Sequence, residues 1–151
     1  MQISAKADYA VRALIELGRH GDGPLRAEQL AESQGLPPKF LETILSGLRN
    51  HGILISRRGA EGGYWLARPA VQITVAQIVR ATDGPLASVR GQRPEDVAYG
   101  GAAAGLADVW IALRASLRSV LEEVTLADLV AGALPASVAS LVDDPGARRT
   151  R

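Results

Sequence analysis

The 151-residue sequence contains no cysteine. Disulfides, thiolate zinc sites and all-cysteine iron–sulfur clusters are therefore excluded. Histidine is nearly as scarce, with only His20 and His51. Both fall at predicted helix ends, where a ring nitrogen caps terminal carbonyls. Neither has a serine or carboxylate at a spacing that implies a triad or a metal motif. The paired acids Glu122-Glu123 and Asp143-Asp144 read as solvated, so no enzymatic activity and no cofactor are expected. Long apolar runs are missing too, although 47% of residues are hydrophobic, so no membrane span or membrane partner is expected. The opening stretch Met1 to Asp8 lacks the apolar region of a signal peptide and carries an acid early. A soluble, cytoplasmic protein is the expectation. Lysine is confined to Lys6 and Lys39, the remaining 15 basic residues being arginine, which reads as genome composition rather than chemistry.

Net charge is also close to absent, 17 basic residues against 16 acidic. Taken alone, that balance argues against a nucleic-acid partner. It is, however, a sum over unlike regions. Residues 1–68 hold nine basic and seven acidic residues, 69–144 hold five and nine, and the last seven hold three basic ones. Within 37–68 the count is five basic to two acidic, so the near-neutral total conceals a basic face.

What the chain does contain is helical periodicity, interrupted once. Ser4 reads as the N-cap of a first helix with Ala7, Ala10, Val11, Leu14 and Leu17 on one face. The run His20-Gly21-Asp22-Gly23-Pro24 ends it. A short second helix uses Leu25, Leu30 and Ala31 and stops at Gly35, expected in a left-handed turn. Pro37 and Pro38 open a third helix, with Phe40, Leu41, Ile44, Leu45 and Leu48 inward and its end at Asn50-His51-Gly52. The period then changes. Ile53–Arg57 and Tyr64–Arg68 are β-prone and flank the glycine-rich 58–63, which together read as a β-hairpin. Thr74 starts a fourth helix with Val75, Ile78, Val79 and Ala81, closed by Asp83-Gly84-Pro85.

These elements predict a mainly α fold with a small β-hairpin wing: a winged helix-turn-helix domain over residues 1–85. Residues 86–101 read as a loop or linker. Over 102–135 the spacing predicts a long helix, about 102–124, and a short last helix capped by Thr125 with Asp128 three residues on. In the long helix Leu106, Trp110, Leu113, Leu117, Val120 and Val124 are spaced 4, 3, 4, 3, 4, the alternation of a coiled-coil dimerisation seam. Residues 136–151 read as a largely flexible tail.

Helix-turn-helix units need a small residue where the two helices cross, a glycine four residues later, and apolar anchors on the second helix. Ala31, Gly35, Leu41 and Ile44 meet that spacing; an ordinary helical hairpin shares the same periods. With the apolar face inward, the third helix presents Lys39, Glu42, Thr43, Ser46, Gly47 and Arg49. Short side chains at Thr43, Ser46 and Gly47 allow approach to a groove floor, and Lys39 and Arg49 reach phosphates or guanine edges. Glu42 suits a polyanion only by accepting from a cytosine amino group or by orienting a neighbour. Arg57 and Arg58, beside the glycine turn, suit a narrow minor groove. A phosphate-binding loop at Gly59–Gly63 lacks both the Gly-Lys-Ser/Thr ending and the following helix N-terminus.

The sequence resembles the Rrf-two family of bacterial regulators, with its IscR-, NsrR- and CymR-like members. The residues that carry the resemblance are Ile3–Leu14, Phe40-Leu41-Glu42, Arg58–Pro69, Ile73-Thr74, Ala81–Gly84 and Val124–Leu129, the wing stretch being the most specific. The resemblance implies a homodimer in which the long helix crosses its partner, with recognition helix and wing reading a palindromic operator on double-stranded DNA. It places base contacts at Lys39, Glu42, Thr43 and Arg58. Cluster-binding members carry three cysteines in the loop matching 86–104, and this chain has none. Asp8 occupies the place of an aspartate ligand of NsrR-like members and, without thiolates, reads as a structural or helix-end acid. The implied protein is a repressor without an iron–sulfur cluster whose effector is a partner protein or a small molecule. A protein–protein adaptor built on the winged helix and seam, or a DNA-architectural protein without sequence preference, are the alternatives.

Overall fold

The computed structural model describes residues 2–21 and 23–149. Helix α1 (Ala5–His20) starts where Ser4 Oγ accepts from the Ala7 amide at 2.9 Å. Its Ala7, Ala10, Ala13, Leu14 and Leu17 are buried. Helix α2 (Ala27–Gln34) turns through Gly35, at φ 62°, into α3 (Pro38–Asn50). The left-handed glycine lets the Leu36 amide reach back to the Ala31 carbonyl at 2.9 Å, closing the orphan end of α2. Strands β1 (Leu54–Arg57) and β2 (Gly63–Leu66) pair antiparallel, Leu54 opposite Leu66 and Arg57 opposite Gly63. Helix α4 (Val75–Asp83) begins in a reciprocal cap between Thr74 and Gln77.

The core lies where α1, α2, α3 and α4 meet. Leu14, Leu30, Leu41, Ile44, Leu45, Leu48 and Ile78 are all fully buried in one cluster. Each such side chain contributes about 1.5–3 kcal/mol of burial. Phe40 departs from the inward reading. It is 41% exposed and meets the Tyr9 ring edge-on at 5.9 Å, because Pro38 starts the helix with Leu41, not Phe40, facing the core. Leu25 departs as well. It precedes α2 and pairs with β2, its amide donating to the Tyr64 carbonyl at 3.1 Å and its carbonyl accepting from the Tyr64 amide at 2.8 Å.

Residues 84–105 are not featureless. They contain 3-10 turns at Pro94–Asp96 and Gly101–Ala103, with Pro94 and Val97 buried. Helix α5 (Leu106–Leu121) follows, shorter at both ends than the predicted 102–124. Trp110 Nε1 donates to Tyr99 Oη at 3.1 Å, and Arg114 pairs with Glu95 at 2.5 Å, so the segment is pinned to one side of α5. The Arg114 hydrogen bond holds the Glu95 carboxyl below its ordinary range. Beyond α5, Glu122 takes both Arg80 and Arg118, at 2.5 and 3.0 Å. Those hydrogen bonds, Arg80 first, hold its carboxyl low as well.

Helix α6 (Leu126–Ala131) does not stay with α5. Thr125 and Asp128 form the expected reciprocal cap, which lowers the Asp128 pKa. The Leu126 amide then donates to Ile73 O at 2.7 Å and Val75 N to Val124 O at 2.9 Å. Leu126 is fully buried in the same core as α1 and α3, and α6 packs on α1 so closely that a Cβ on Gly18 would lie 2.7 Å from Val130. Helix α6 thus packs on the body assigned to residues 1–85. A further helix, α7 (Ala136–Asp143), replaces the first part of the expected flexible tail. Pro135 sets its start, its carbonyl accepting from Val138 and Ala139, and burial of Val138 holds it down.

Candidate nucleic-acid interface

Four apolar anchors fix how α3 faces. Leu41, Ile44, Leu45 and Leu48 are buried, so Lys39, Glu42, Thr43 and Arg49 are exposed and Ser46 and Gly47 partly so. Thr43, Ser46 and Gly47 keep the middle of this strip low, and the half-exposed Phe40 ring beside them meets Tyr9; a helix with so low a profile at its centre fits a major groove. The Thr43 hydroxyl donates to Lys39 O at 3.2 Å, leaving its oxygen able to accept. Arg49 Nη1 donates to Ser56 Oγ of β1 at 3.3 Å. That bond links the end of α3 to the wing through one of the five donors of Arg49.

The wing owes its shape to two glycines. A Cβ on Gly62 would lie 2.2 Å from the Arg57 carbonyl oxygen, and one on Gly63 would lie 2.8 Å from Leu25 O. Only glycine permits the Gly62 amide to close on Gly59 O at 3.0 Å while β2 presses against the chain before α2. Arg57 and Arg58 at this tip are exposed. Neither enters an ion pair among the described residues.

Sequence reasoning missed Arg26. Its guanidinium donates to Ala60 O at 2.5 Å, holding the wing turn against the start of α2. Together Arg26, Glu42, Ser46 and Arg57 line a recess of about 460 Å³ between α2, α3 and the wing. The structure therefore brings Glu42, Ser46 and Arg57 into one concavity and leaves Lys39, Thr43 and Arg58 exposed outside its lining. Nothing local marks Arg26, because its partner is 34 residues away. Arg68 was legible only as part of the wing stretch. It donates to Gly52 O, Gln72 O and Gln77 Oε1 at 3.0–3.3 Å, locking wing, α3 end and α4 into one frame. His51 behaves as expected, its Nδ1 lying 2.9 Å from Gly47 O at the end of α3; His20 makes no comparable contact among those described. Asp8, in the first turn of α1, pairs with Arg12 at 3.6 Å on the surface.

The seam residues divide. Leu106 and Leu113 are exposed, Trp110, Leu117 and Val120 partly buried, and Val124 buried in the body. Val109, not among the expected residues, is 54% exposed. With about 100° per residue, Leu106, Val109 and Leu113 form one ridge. Leu117 and Val120 continue it toward the far end of α5, while Trp110 and Arg114 turn toward the 84–105 segment and bond to it.

This arrangement has close counterparts. The family model "Rrf2: Iron-dependent Transcriptional regulator" matches residues 3–132. The protein Rv1287 of Mycobacterium tuberculosis, whose name places it among the HTH-type transcriptional regulators, is 53% identical over 145 residues, covering 95% of this chain and 90% of its own. The HTH-type transcriptional regulator CymR of Bacillus subtilis is 36% identical over 130 residues, 85% and 89% of the two chains. The solved structure of CymR, the global cysteine regulator of B. subtilis, superposes with a TM-score of 0.74 at 33% identity, covering 87% of this chain and 98% of that one. T. potens IscR gives 0.67 at 31% identity, over 100% and 93%.

Iron, named in the family description, does not fit the donor set here. Thiolates are absent, and of the two acids in the 86–104 segment Glu95 is taken by Arg114. Among the described residues no three His, Asp or Glu side chains converge on one point. The family consists of transcriptional regulators rather than enzymes. With its helix-turn-helix, its glycine-built wing and a match over most of its length, this chain belongs to the Rrf-two family, as a cysteine-free transcriptional regulator with a DNA-binding winged helix.

Proposed function

We propose that the chain acts as a homodimeric, sequence-specific repressor of transcription that binds an inverted-repeat operator. The observation that carries this reading is the joint placement of two faces. A low-profile recognition strip flanked by unpaired wing arginines lies on one body, and an exposed apolar ridge lies on the helix that leaves that body. Lys39, Glu42 and Thr43 contact base edges or phosphates in the major groove, Ser46 allows close approach, and Arg58 enters the adjacent minor groove. Arg57 works from the recess it shares with Glu42, and Arg49 works chiefly by setting the wing against α3. Leu106, Val109 and Leu113, with Leu117 and Val120 beside them, meet the same residues of a second chain across a two-fold axis. Two recognition helices then enter successive major grooves about 34 Å apart. A DNA-bound dimer over a promoter excludes polymerase, which is the repressor's simplest action.

The test is fluorescence anisotropy with duplexes from the DNA upstream of the protein's own reading frame, over a series of salt concentrations. Selective binding to one inverted repeat is expected. Arg58→Ala should weaken it and reduce the salt slope by about one charge. An affinity and slope unchanged by Arg58→Ala would remove the wing from the interface, and equal affinity for all duplexes would leave an architectural protein instead.

A further inference from the structure

The C-terminal half is acidic, yet its arginines are not scattered. Residues 69–144 hold nine acids and only five basic residues: Arg80, Arg90, Arg93, Arg114 and Arg118. Four of these five line one recess of about 520 Å³, bounded by α4, the segment that follows it and α5. Arg90 alone stands elsewhere, 5.8 Å over the Tyr99 ring. Small-molecule sites span about 300–1,000 Å³, so the recess has the size of a metabolite site.

The ion pairs inside it do not use up the cations. Arg80 and Arg118 share a single Glu122 oxygen, and Arg114 takes Glu95. Arg93 lines the recess and makes no ion pair among the described residues. Four guanidiniums against two carboxylates leave two positive charges. Each guanidinium carries five N–H donors in a fixed fork, and each of the three paired ones commits a single nitrogen to its carboxylate in these pairs. The C-terminal end of α4 accounts for part of this charge, since a helix end offers about half a negative charge. That suffices for Arg80, which stands in its last turn, and not for four arginines drawn from three separate segments.

We propose that this recess is the effector site: it binds a small polyanion, a phosphate ester or a di- or tricarboxylate carrying at least two negative charges, held by Arg80, Arg93, Arg114 and Arg118. The consequence for DNA rests on the reading of the chain as a repressor; the binding itself does not. A polyanion bridging Arg80 to Arg118 replaces Glu122 as the link between α4 and α5. Beneath Arg80, Ile78 and Ala81 pack in the core that holds α3, while α5 carries the apolar ridge. One ligand thus touches both the helix under the recognition element and the helix proposed to join two chains. It shifts DNA affinity to the extent that it binds the two arrangements unequally.

Calorimetric titration of the full chain, without DNA, with pyrophosphate and separately with citrate at ionic strength matched by sodium chloride, tests the site. Saturable binding of one probe per chain is expected, and which probe binds tells phosphate from carboxylate chemistry. Arg93→Gln leaves every ion pair intact and should weaken binding at least tenfold. Arg90→Gln, outside the recess, should change it less than twofold. The same probe should shift duplex affinity at least threefold in the wild type and not in Arg93→Gln. Absence of saturable binding, or equal weakening by Arg90→Gln and Arg93→Gln, would overturn the site. Wild-type binding with duplex affinity unmoved would overturn its role as effector site. A chain that binds pyrophosphate or citrate but no duplex would instead refute the repressor reading and leave the anion site standing.

Discussion

Helices α3 and α5 are both amphipathic, and their apolar faces meet opposite circumstances. α3 buries Leu41, Ile44, Leu45 and Leu48 completely within its own chain. α5 has no buried residue at all, and Leu106, Val109, Ile111 and Leu113 stand in solvent. The difference lies in what the chain places opposite. α1, α2 and α4 close around α3, whereas α5 meets the 84–105 segment and the end of α4 on one flank and, among the described residues, nothing on the other. Periodicity therefore identifies which side chains share a face, but not whether the partner for that face lies in the same chain.

Four substitutions or conditions break or sharpen this contrast. Ile44→Ala should cost about 2–5 kcal/mol, independent of protein concentration, read from the urea midpoint; a cost below 1 kcal/mol would mean that the α3 face is less closely packed than it looks. Gly62→Ala should cost about 1–3 kcal/mol by overpacking, concentrated in the wing, and amide exchange of β1 and β2 should rise while that of α1 stays protected. Leu113→Glu should leave the folded chain's circular dichroism unchanged and weaken self-association at least tenfold, about 1.4 kcal/mol, in sedimentation at micromolar concentration. Wild type and variant sedimenting alike would show that the ridge on α5 has no partner chain.

The smallest effect separates the halves by acid. Glu95, Glu122 and Asp128, all in the C-terminal half, are held below their ordinary values by hydrogen bonds, to Arg114, to Arg80 and to Thr125 respectively. A carboxyl with a lowered folded pKa contributes stability that is fully present above its unfolded value and lost as pH falls through the folded one. With unfolded values of 4.5 for the glutamates and 3.8 for the aspartate, melting temperature should be flat at higher pH and decline below about 4.5. Glu122→Gln should flatten that decline; an identical acid limb in the variant would locate the sensitivity elsewhere.

Local rules made the DNA-binding half legible. The Ala31, Gly35, Leu41 and Ile44 spacing is set within one helical hairpin, and glycines at 62 and 63 report a crowded turn directly. The strand-like pairing of Leu25 with Tyr64 and the hold of Arg26 on Ala60 span more than thirty residues, and such pairings leave no period to read. In α5 the 4-3-4-3 spacing selected Trp110 over Val109. Trp110 instead turns toward Tyr99, because its indole N–H finds a partner there. The recess arginines were invisible for a related reason: Arg80, Arg93, Arg114 and Arg118 lie in three segments and count, in sequence, as a minority among acids.

The return of α6 to α1 has a mechanical consequence. α5 is bonded along its first half, through Trp110 and Arg114, to the segment that precedes it, and is tied to the body just past its end through Val124 and Leu126. A rod flanked by its own leading segment and tied to the body at its far end is poorly placed to swing as a lever. Two such bodies joined along their rods would hold the distance between their reading heads nearly constant, so operator spacing would act as a stiff gauge.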